Sequence, residues 1–271
     1  MISVIISVYK RLDMLNLILQ ALSQQSYTNF EVIVAEDNDA SETVDFIRKA
    51  RETHKYPLKH VSQKDIGFRK TAILNKALRI AEGEQLVFLD GDCIPHRHLL
   101  YEYSKAIRGN VMCYGRRLFL SKNLSEKLMK TGNIKVLNIW TAILYRSKSI
   151  GAGIYMPRKK NIHKQNRVIL GCNWGVERAA LVSINGFDED YQRAGRGEDF
   201  DVEWRLIRKA YRKISMKNKA IVYHIFHPSN YSDADTLYVQ DLMEQKMKTG
   251  NMYCLNGLEK KQIQPQTFHF V

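Results

Sequence analysis

Through its first hundred residues the chain alternates short β-branched runs with segments of helical period, and few folds accept that order. Residues 2–9 read as a strand buried on both faces, since Val and Ile fill both sides of its period-two repeat. Asp13 can cap the helix that Leu15, Ile18, Leu19 and Leu22 mark over roughly residues 12–25. Glu31 to Glu36 makes a second strand, and Ser41 caps a helix carrying Val44, Phe46 and Ile47. Leu58 to Val61 is a third strand, and after Gly67-Phe68 apolar residues from Ala72 to Ala81 recur at helical spacing. Leu86 to Asp90 is the fourth strand. Strands joined by helices in this way pair in parallel through right-handed crossovers. The fold class is therefore α/β, with residues 1–100 forming half of a doubly wound, nucleotide-binding type of sheet.

In such sheets ligands bind beyond the carboxyl ends of the strands. Those ends are acidic here: Asp37-Asn38-Asp39 follows the second strand and Asp90-Gly91-Asp92 the fourth. Gly91 lets the backbone turn and a ligand approach, and Pro95 stops the strand from running on. Two carboxylates so placed suit Mg²⁺ or Mn²⁺ and, through the metal, a diphosphate. The alternative is a surface turn, which Asp and Gly readily form.

Beyond Pro95 the pattern loosens. Residues 97–108 can form a helix and Val111 to Phe119 a strand. Residues 121–167 are irregular and rich in Lys and Arg, with an apolar run from Val136 to Tyr145. They read either as a helical insertion with a solvated basic rim or as a flap or membrane-contacting element. Order resumes at Val168 to Trp174, followed by a helix from Glu177 to Ile184 and another from the Gly197-Glu-Asp199 motif to Tyr211. A strand from Lys219 to Tyr223 then leads to His224 and His227, and a polar helix lies near 235–248.

The net charge of +14, from 42 Lys and Arg against 28 Asp and Glu, calls for an anionic partner: nucleic acid, a membrane surface or a phosphorylated substrate. Cys93, Cys113, Cys172 and Cys254 lack metal-finger or redox spacing, which suits a reducing compartment. Cys93 and Cys172 read as packing residues. No apolar run approaches the ~18 residues of a membrane span, and the N-terminus lacks signal-peptide features. A cytoplasmic location is expected, either free or peripheral on the inner membrane face.

Several motifs occur in one order: Val4-Ile-Ile-Ser-Val-Tyr9, Glu36-Asp37, Gly67-Phe-Arg-Lys70 with Asn75, and Phe88-Leu-Asp-Gly-Asp92. Gly171-Cys-Asn-Trp174, Gly186-Phe-Asp188, Gly197-Glu-Asp199 and His224 follow. Together they resemble the family 2 glycosyltransferases of the GT-A (nucleotide-diphospho-sugar transferase) fold, most of all bacterial chondroitin-polymerase-type domains. The resemblance covers about residues 2–230 and implies a Rossmann-like, mostly parallel sheet flanked by helices. On that basis 1–230 is the transferase domain, with 1–100 its nucleotide half, 101–230 its acceptor half and 231–271 a helical extension. Two departures stand out. Val8 replaces the family's usual proline, and Ala194-Gly-Arg-Gly197 stands where relatives often carry a tryptophan.

The resemblance implies an inverting, metal-dependent transferase that moves a sugar from a UDP-sugar to a saccharide or lipid-linked acceptor in bacterial surface polysaccharide synthesis. Ser7, Val8, Tyr9 and Asp37 would hold base and ribose, with a helix or turn cap as the alternative for Asp37. Arg69 and Lys70 would pair with phosphate oxygens, unless Lys70 is only a solvated helix start. Asn75 would bind the donor or simply pack. Asp90 and Gly91 would meet the donor, while Asp92 and His224 would ligate Mn²⁺ or Mg²⁺, with His227 as the rival histidine. Asp199 would be the general base. Glu198 would bind an acceptor or donor hydroxyl, or serve only the helix dipole. Asn173 and Trp174 would form the sugar pocket, with a core Trp as the alternative. Two other classes remain. A sugar-phosphate nucleotidyltransferase would carry glycine after the first strand, where Tyr9-Lys-Arg-Leu-Asp13 has none. A basic nucleic-acid or acidic-polymer module would carry an aromatic–basic recognition motif, and no such motif is present, so no nucleic-acid partner is expected.

Overall fold

The computed structural model describes residues 1–158, 168–195, 197–228 and 232–260. In chain order it comprises β1 (Ile2–Val8), α1 (Leu12–Leu22), β2 (Phe30–Glu36), α2 (Ser41–Thr53), β3 (Leu58–Ser62), α3 (Lys70–Ile80) and β4 (Gln85–Asp90). Then come β5 (Cys93–Pro95), α4 (Leu99–Ala106), β6 (Val111–Tyr114), β7 (Arg116–Phe119), α5 (Lys122–Thr131) and α6 (Ile139–Leu144). The chain closes with β8 (Asn173–Glu177), α7 (Arg178–Val182), α8 (Gly197–Arg208), β9 (Arg212–Ser215), β10 (Ile221–His224) and α9 (Asp233–Thr249).

The central sheet runs β3-β2-β1-β4-β8-β6-β9. The first four of these strands are parallel, and β8 opposes both of its neighbours. Both faces are covered, which is why β1 and β2 carry no polar alternation. Val4 and Ile6 pack on one side with Leu15 and Ile18 of α1. Ile5 and Ile33 pack on the other with Ile73 and Leu78 of α3 and Val202 of α8.

Three expectations change. The strand expected over 111–119 breaks at Gly115, where a Cβ would lie 2.1 Å from Asn173 Nδ2 and 2.3 Å from the Ala220 carbonyl oxygen. The two halves part there: β6 stays in the main sheet, and β7 joins a second sheet in the order β5-β10-β7. Next, β4 ends at Asp90 as expected, but Pro95, read as a stop to strand structure, sits in a new short strand, β5. Pro95 is tolerated because β5 is an edge strand. Finally, β8 occupies residues expected to lead into a longer helix, and β9 was not expected at all.

Residues 121–158 fold as two short helices with tight 3₁₀ turns between and after them. Residues 159–167, the end of the basic segment expected over 121–167, lie outside the described residues. α9 begins with a reciprocal cap between Ser232 and Asp235. It reaches back to the body through Lys246, which pairs with Asp188 at 2.8 Å and with Asp190.

Candidate active site

Strand register builds the first part of the site. β5 starts one residue after Asp92 and pairs antiparallel with β10, which sets Cys93 opposite His224. The Ile225 amide then donates to the Asp92 carbonyl at 2.9 Å. Two histidines therefore converge on one carboxylate oxygen: His227 Nε2 lies 2.7 Å from Asp92 Oδ2, and His224 Nε2 lies 3.4 Å from it. The ligand atoms of all three side chains fall within 4.8 Å of one another. The sequence set His224 against His227, whereas the fold brings both to Asp92. Burial works to raise the Asp92 carboxyl, but the His227 hydrogen bond, the His224 charge and the Cys93 thiol outweigh it and hold it at about 2. The Cys93 thiol donates to Asp92 Oδ1 at 3.0 Å, a contact that reading Cys93 as packing alone had missed.

A second group of charges lies beside the first. Ser7 and Asp90 are register partners across β1 and β4, and Ser7 Oγ donates to Asp90 Oδ1 at 2.9 Å. Lys70, at the start of α3, reaches Asp90 Oδ1 at 2.8 Å and Glu198 Oε1 at 3.3 Å. It is thus an ion-pairing residue rather than a solvated helix start. Burial favours its neutral form, but the charges of Asp90, Glu198 and Asp199 prevail and keep it protonated well beyond its usual range. Asp199 Oδ2 accepts the Gly171 amide at 2.6 Å. A Cβ on Gly171 would lie 2.6 Å from Asp199 Oδ1 and 3.1 Å from Lys70 Nζ, so only glycine lets the three meet. Burial, then the Glu198 charge, push the Asp199 carboxyl well above the usual range against the pull of Lys70.

A third group lies just beyond the carboxyl ends of β1 and β2. Asp37 Oδ1 accepts Gln63 Nε2 at 2.7 Å and Oδ2 accepts the Arg69 amide at 2.7 Å, so the carboxylate caps the approach to α3. Arg69 turns its guanidinium to the Lys64 carbonyl at 3.0 Å. Val8 is buried, whereas the Tyr9 ring is 52% exposed and its hydroxyl donates to Asp65. Glu36 is enclosed, accepting Thr43 Oγ1 at 2.5 Å and lying 2.9 Å from His60 Nε2.

Four expected contacts take other roles. Asn75 is fully buried and commits its amide to Phe187 O, Glu189 Oε1 and the Phe187 amide, holding the 187–189 loop. Asn173 is 2% exposed, bridging the Arg116 and Ala220 carbonyls and accepting the Tyr103 hydroxyl at 2.7 Å. Trp174 is 1% exposed and stacked on Phe88 with ring centroids 4.5 Å apart. Neither Asn173 nor Trp174 offers an exposed face to a sugar, because Asn173 is bound between strands and Trp174 is packed against Phe88 and Phe187 in the core. At Gly91 the close approach comes from the protein itself: a Cβ would lie 2.9 Å from the Ser7 carbonyl oxygen. A cavity of about 450 Å³ between β5 and residues 134–139 and 153–155 is lined by none of the site carboxylates.

Acidic groups at the ends of β2 and β4, a carboxylate flanked by two imidazoles, and a buried carboxylate facing them form a constellation that comparison with known proteins can test. The model of glycosyl transferase family 2 matches residues 3–184. The chain belongs to this family. It is 26% identical to the chondroitin synthase of Escherichia coli over 96% of its own length and 40% of the relative's. It is 23% identical to that of Pasteurella multocida (strain Pm70) over 86% and 26%. The chain thus spans well under half of these curated relatives. Among solved structures, Staphylococcus aureus TarS 1–349 in complex with UDP-GlcNAc superposes with a TM-score of 0.60 at 20% identity, covering 96% of this chain and 68% of that one. The mannosyltransferase PcManGT of Pyrobaculum calidifontis, in complex with GDP-Man and Mn²⁺, gives 0.59 at 19% identity over 85% and 58%. The fold is GT-A, and the chain carries a glycosyl transferase family 2 domain.

Proposed function

We propose that this glycosyltransferase moves a sugar from a UDP-sugar to a saccharide or lipid-linked acceptor with inversion, in the synthesis of a bacterial surface polysaccharide. The observation that carries the reading is the convergence of Asp92, His224 and His227 beside Asp90, Lys70 and Asp199 beyond the carboxyl end of the central strand β4. Two imidazoles and one ionised carboxylate fit a divalent transition ion, and the second imidazole strengthens the preference for Mn²⁺ over Mg²⁺. Asp92, His224 and His227 would hold that ion, which supplies Lewis-acid neutralisation of the diphosphate leaving group. The PcManGT complex with Mn²⁺ and the TarS complex with UDP-GlcNAc support the assignment by analogy of fold.

The remaining steps belong to the chain's own residues. Tyr9 and Asp37 border the base and ribose end. Lys70 neutralises Asp90 and Glu198 and lets three carboxylates stand near a polyanionic donor. Asp199 accepts the proton of the acceptor hydroxyl as its oxygen bonds to the anomeric carbon and the bond to the diphosphate breaks. Its raised pKa suits a base working near neutral pH. Attack opposite the leaving group inverts the carbon. The test is hydrolysis or transfer across a panel of UDP-sugars with Mn²⁺ and with chelator. Asp92→Ala should lower turnover about 10²–10³-fold, the range for removing one stabiliser of developing charge. Turnover unaffected by both the chelator and Asp92→Ala would sink the assignment.

A further inference from the structure

Sequence motifs nominate Arg69 and Lys70 as the cations for a diphosphate, and the structure shows both engaged elsewhere. Lys70 sits between Asp90 and Glu198. Arg69 faces the Lys64 carbonyl. A nucleoside diphosphate entering beside Asp90, Asp92, Glu198 and Asp199 brings further negative charge to an acidic site, and a protein cation would share that charge with the divalent ion proposed above.

Arg117 of β7 stands where such a cation is needed. Its guanidinium carbon lies 4.7 Å from the Phe119 ring centroid, and Phe119 in turn packs on His224 with centroids 5.2 Å apart. Its Nη1 lies 3.8 Å from Cys172 Sγ, next to the Gly171 amide that holds Asp199. The head group therefore spans the space between the Asp92–histidine group and the Asp199 side. Burial, the largest influence, favours its neutral form, but Cys172 and Cys93, and after them Asp92 and Asp90, outweigh it and raise its pKa. Among the described residues it forms no ion pair, and its buried Nε has no hydrogen-bond partner. A half-buried arginine with a stacked plane, open donors and no carboxylate of its own is preorganised for an oxyanion.

We propose that Arg117 binds the diphosphate of the donor, a contact outside the sequence motifs of the nucleotide half. The inference rests on the UDP-sugar reading above. In the assembled site Arg117 contacts phosphate oxygens from the β7 side, opposite the ion-paired Lys70. Its bidentate fork fixes the leaving group while Asp199 serves the acceptor.

The test compares UDP and uridine binding by ligand-observed NMR or calorimetry in the presence of Mn²⁺. It uses the wild-type chain, Arg117→Gln and Arg117→Lys, each first checked for a cooperative thermal transition. Arg117→Gln should weaken UDP about 10- to 100-fold, as expected for losing charge-assisted hydrogen bonds, and leave uridine unchanged. Arg117→Lys should recover part of the UDP affinity, because it keeps the charge and loses the fork. Equal UDP affinity in Arg117→Gln, or a matching loss for uridine, overturns the inference while the transferase reading stands. A wild-type chain that binds no UDP overturns both.

Discussion

In the proposed mechanism Asp199 is the base, and its neighbours decide at what pH it can act. The carboxyl is raised first by burial and next by Glu198, and Lys70 opposes both. A base works ionised, so kcat/KM should rise with pH through the Asp199 pKa and the acid limb should lie above the ordinary carboxylate range. Glu198→Gln removes a raising charge and should carry that limb to lower pH. Lys70→Met removes a lowering charge and should carry it to higher pH. The measurement is kcat/KM against pH for the three proteins with one UDP-sugar. Limbs that coincide, or that move in the reverse order, would show that Asp199 is not the titrating base. Glu198 and Lys70 thus do more than decorate a helix start, yet the sequence alone could not show it. Lys70 meets Glu198 only when α8, more than a hundred residues on, is laid beside α3.

The helix that delivers Asp199 is itself held by buried charge. Arg205, four residues after Asp201 on α8, is 1% exposed and donates from Nε at 2.8 Å and from Nη2 at 2.5 Å to Asp201 Oδ2. Its Nη1 donates to the Ile184 carbonyl at 2.6 Å. Burial pushes the Asp201 carboxyl up and Arg205 holds it back. Arg205→Ala leaves a buried carboxylate without its partner and should cost about 3–5 kcal/mol in urea unfolding. A loss under about 1 kcal/mol would mean that water or rearrangement replaces Arg205. Such pairs explain what could and could not be read in advance. β1, β2 and β4 were legible because each carries its whole burial signal in its own residues, and α1 because Leu15, Ile18, Leu19 and Leu22 share one side. The break at Gly115 was not, since a glycine in an apolar run looks merely tolerated. What demands it is the approach of Asn173 and Ala220 from other strands. β9, Arg-Lys-Ile-Ser, carries too few apolar residues to announce itself, and its pairing with β6 makes it a strand. At the site, His224 and His227 were legible as a strand end. That both face Asp92 follows only from the β5–β10 register. Arg117 left one faint trace, a basic pair inside an otherwise apolar run.

The charge of the whole chain is not spread evenly, and its placement gives the membrane reading a surface. Residues 121–158 hold seven basic side chains, Lys122, Lys127, Lys130, Lys135, Arg146, Lys148 and Arg158, against the single acid Glu126. All seven are exposed. In their midst α6 turns apolar residues outward: Trp140 is 78% exposed, Leu144 77% and Ile143 49%, with Ile154 and Met156 also exposed nearby in the chain. Apolar residues ringed by one sign of charge fit an interfacial helix on an anionic bilayer. No helix among the described residues is long and apolar enough to cross one. Each Lys or Arg near such a surface contributes about 1 kcal/mol, so three or four in contact raise the binding constant roughly 10²–10³-fold. The chain should therefore co-sediment with vesicles containing phosphatidylglycerol and not with pure phosphatidylcholine, and should be released as salt screens the charges. The Trp140→Ser, Leu144→Ser pair should lose about tenfold or more in binding, since burying one such side chain contributes about 1.5–3 kcal/mol. Both positions are so exposed that stability should stay within about 0.5 kcal/mol of the parent. Tryptophan emission reports the same event, because Trp174 is buried and Trp204 partly buried while Trp140 stands in water. Vesicles should shift emission to the blue in the parent and not in the paired variant. Equal binding to neutral and anionic vesicles, or no loss in the variant, would remove α6 as the contact and leave the basic rim to solvent.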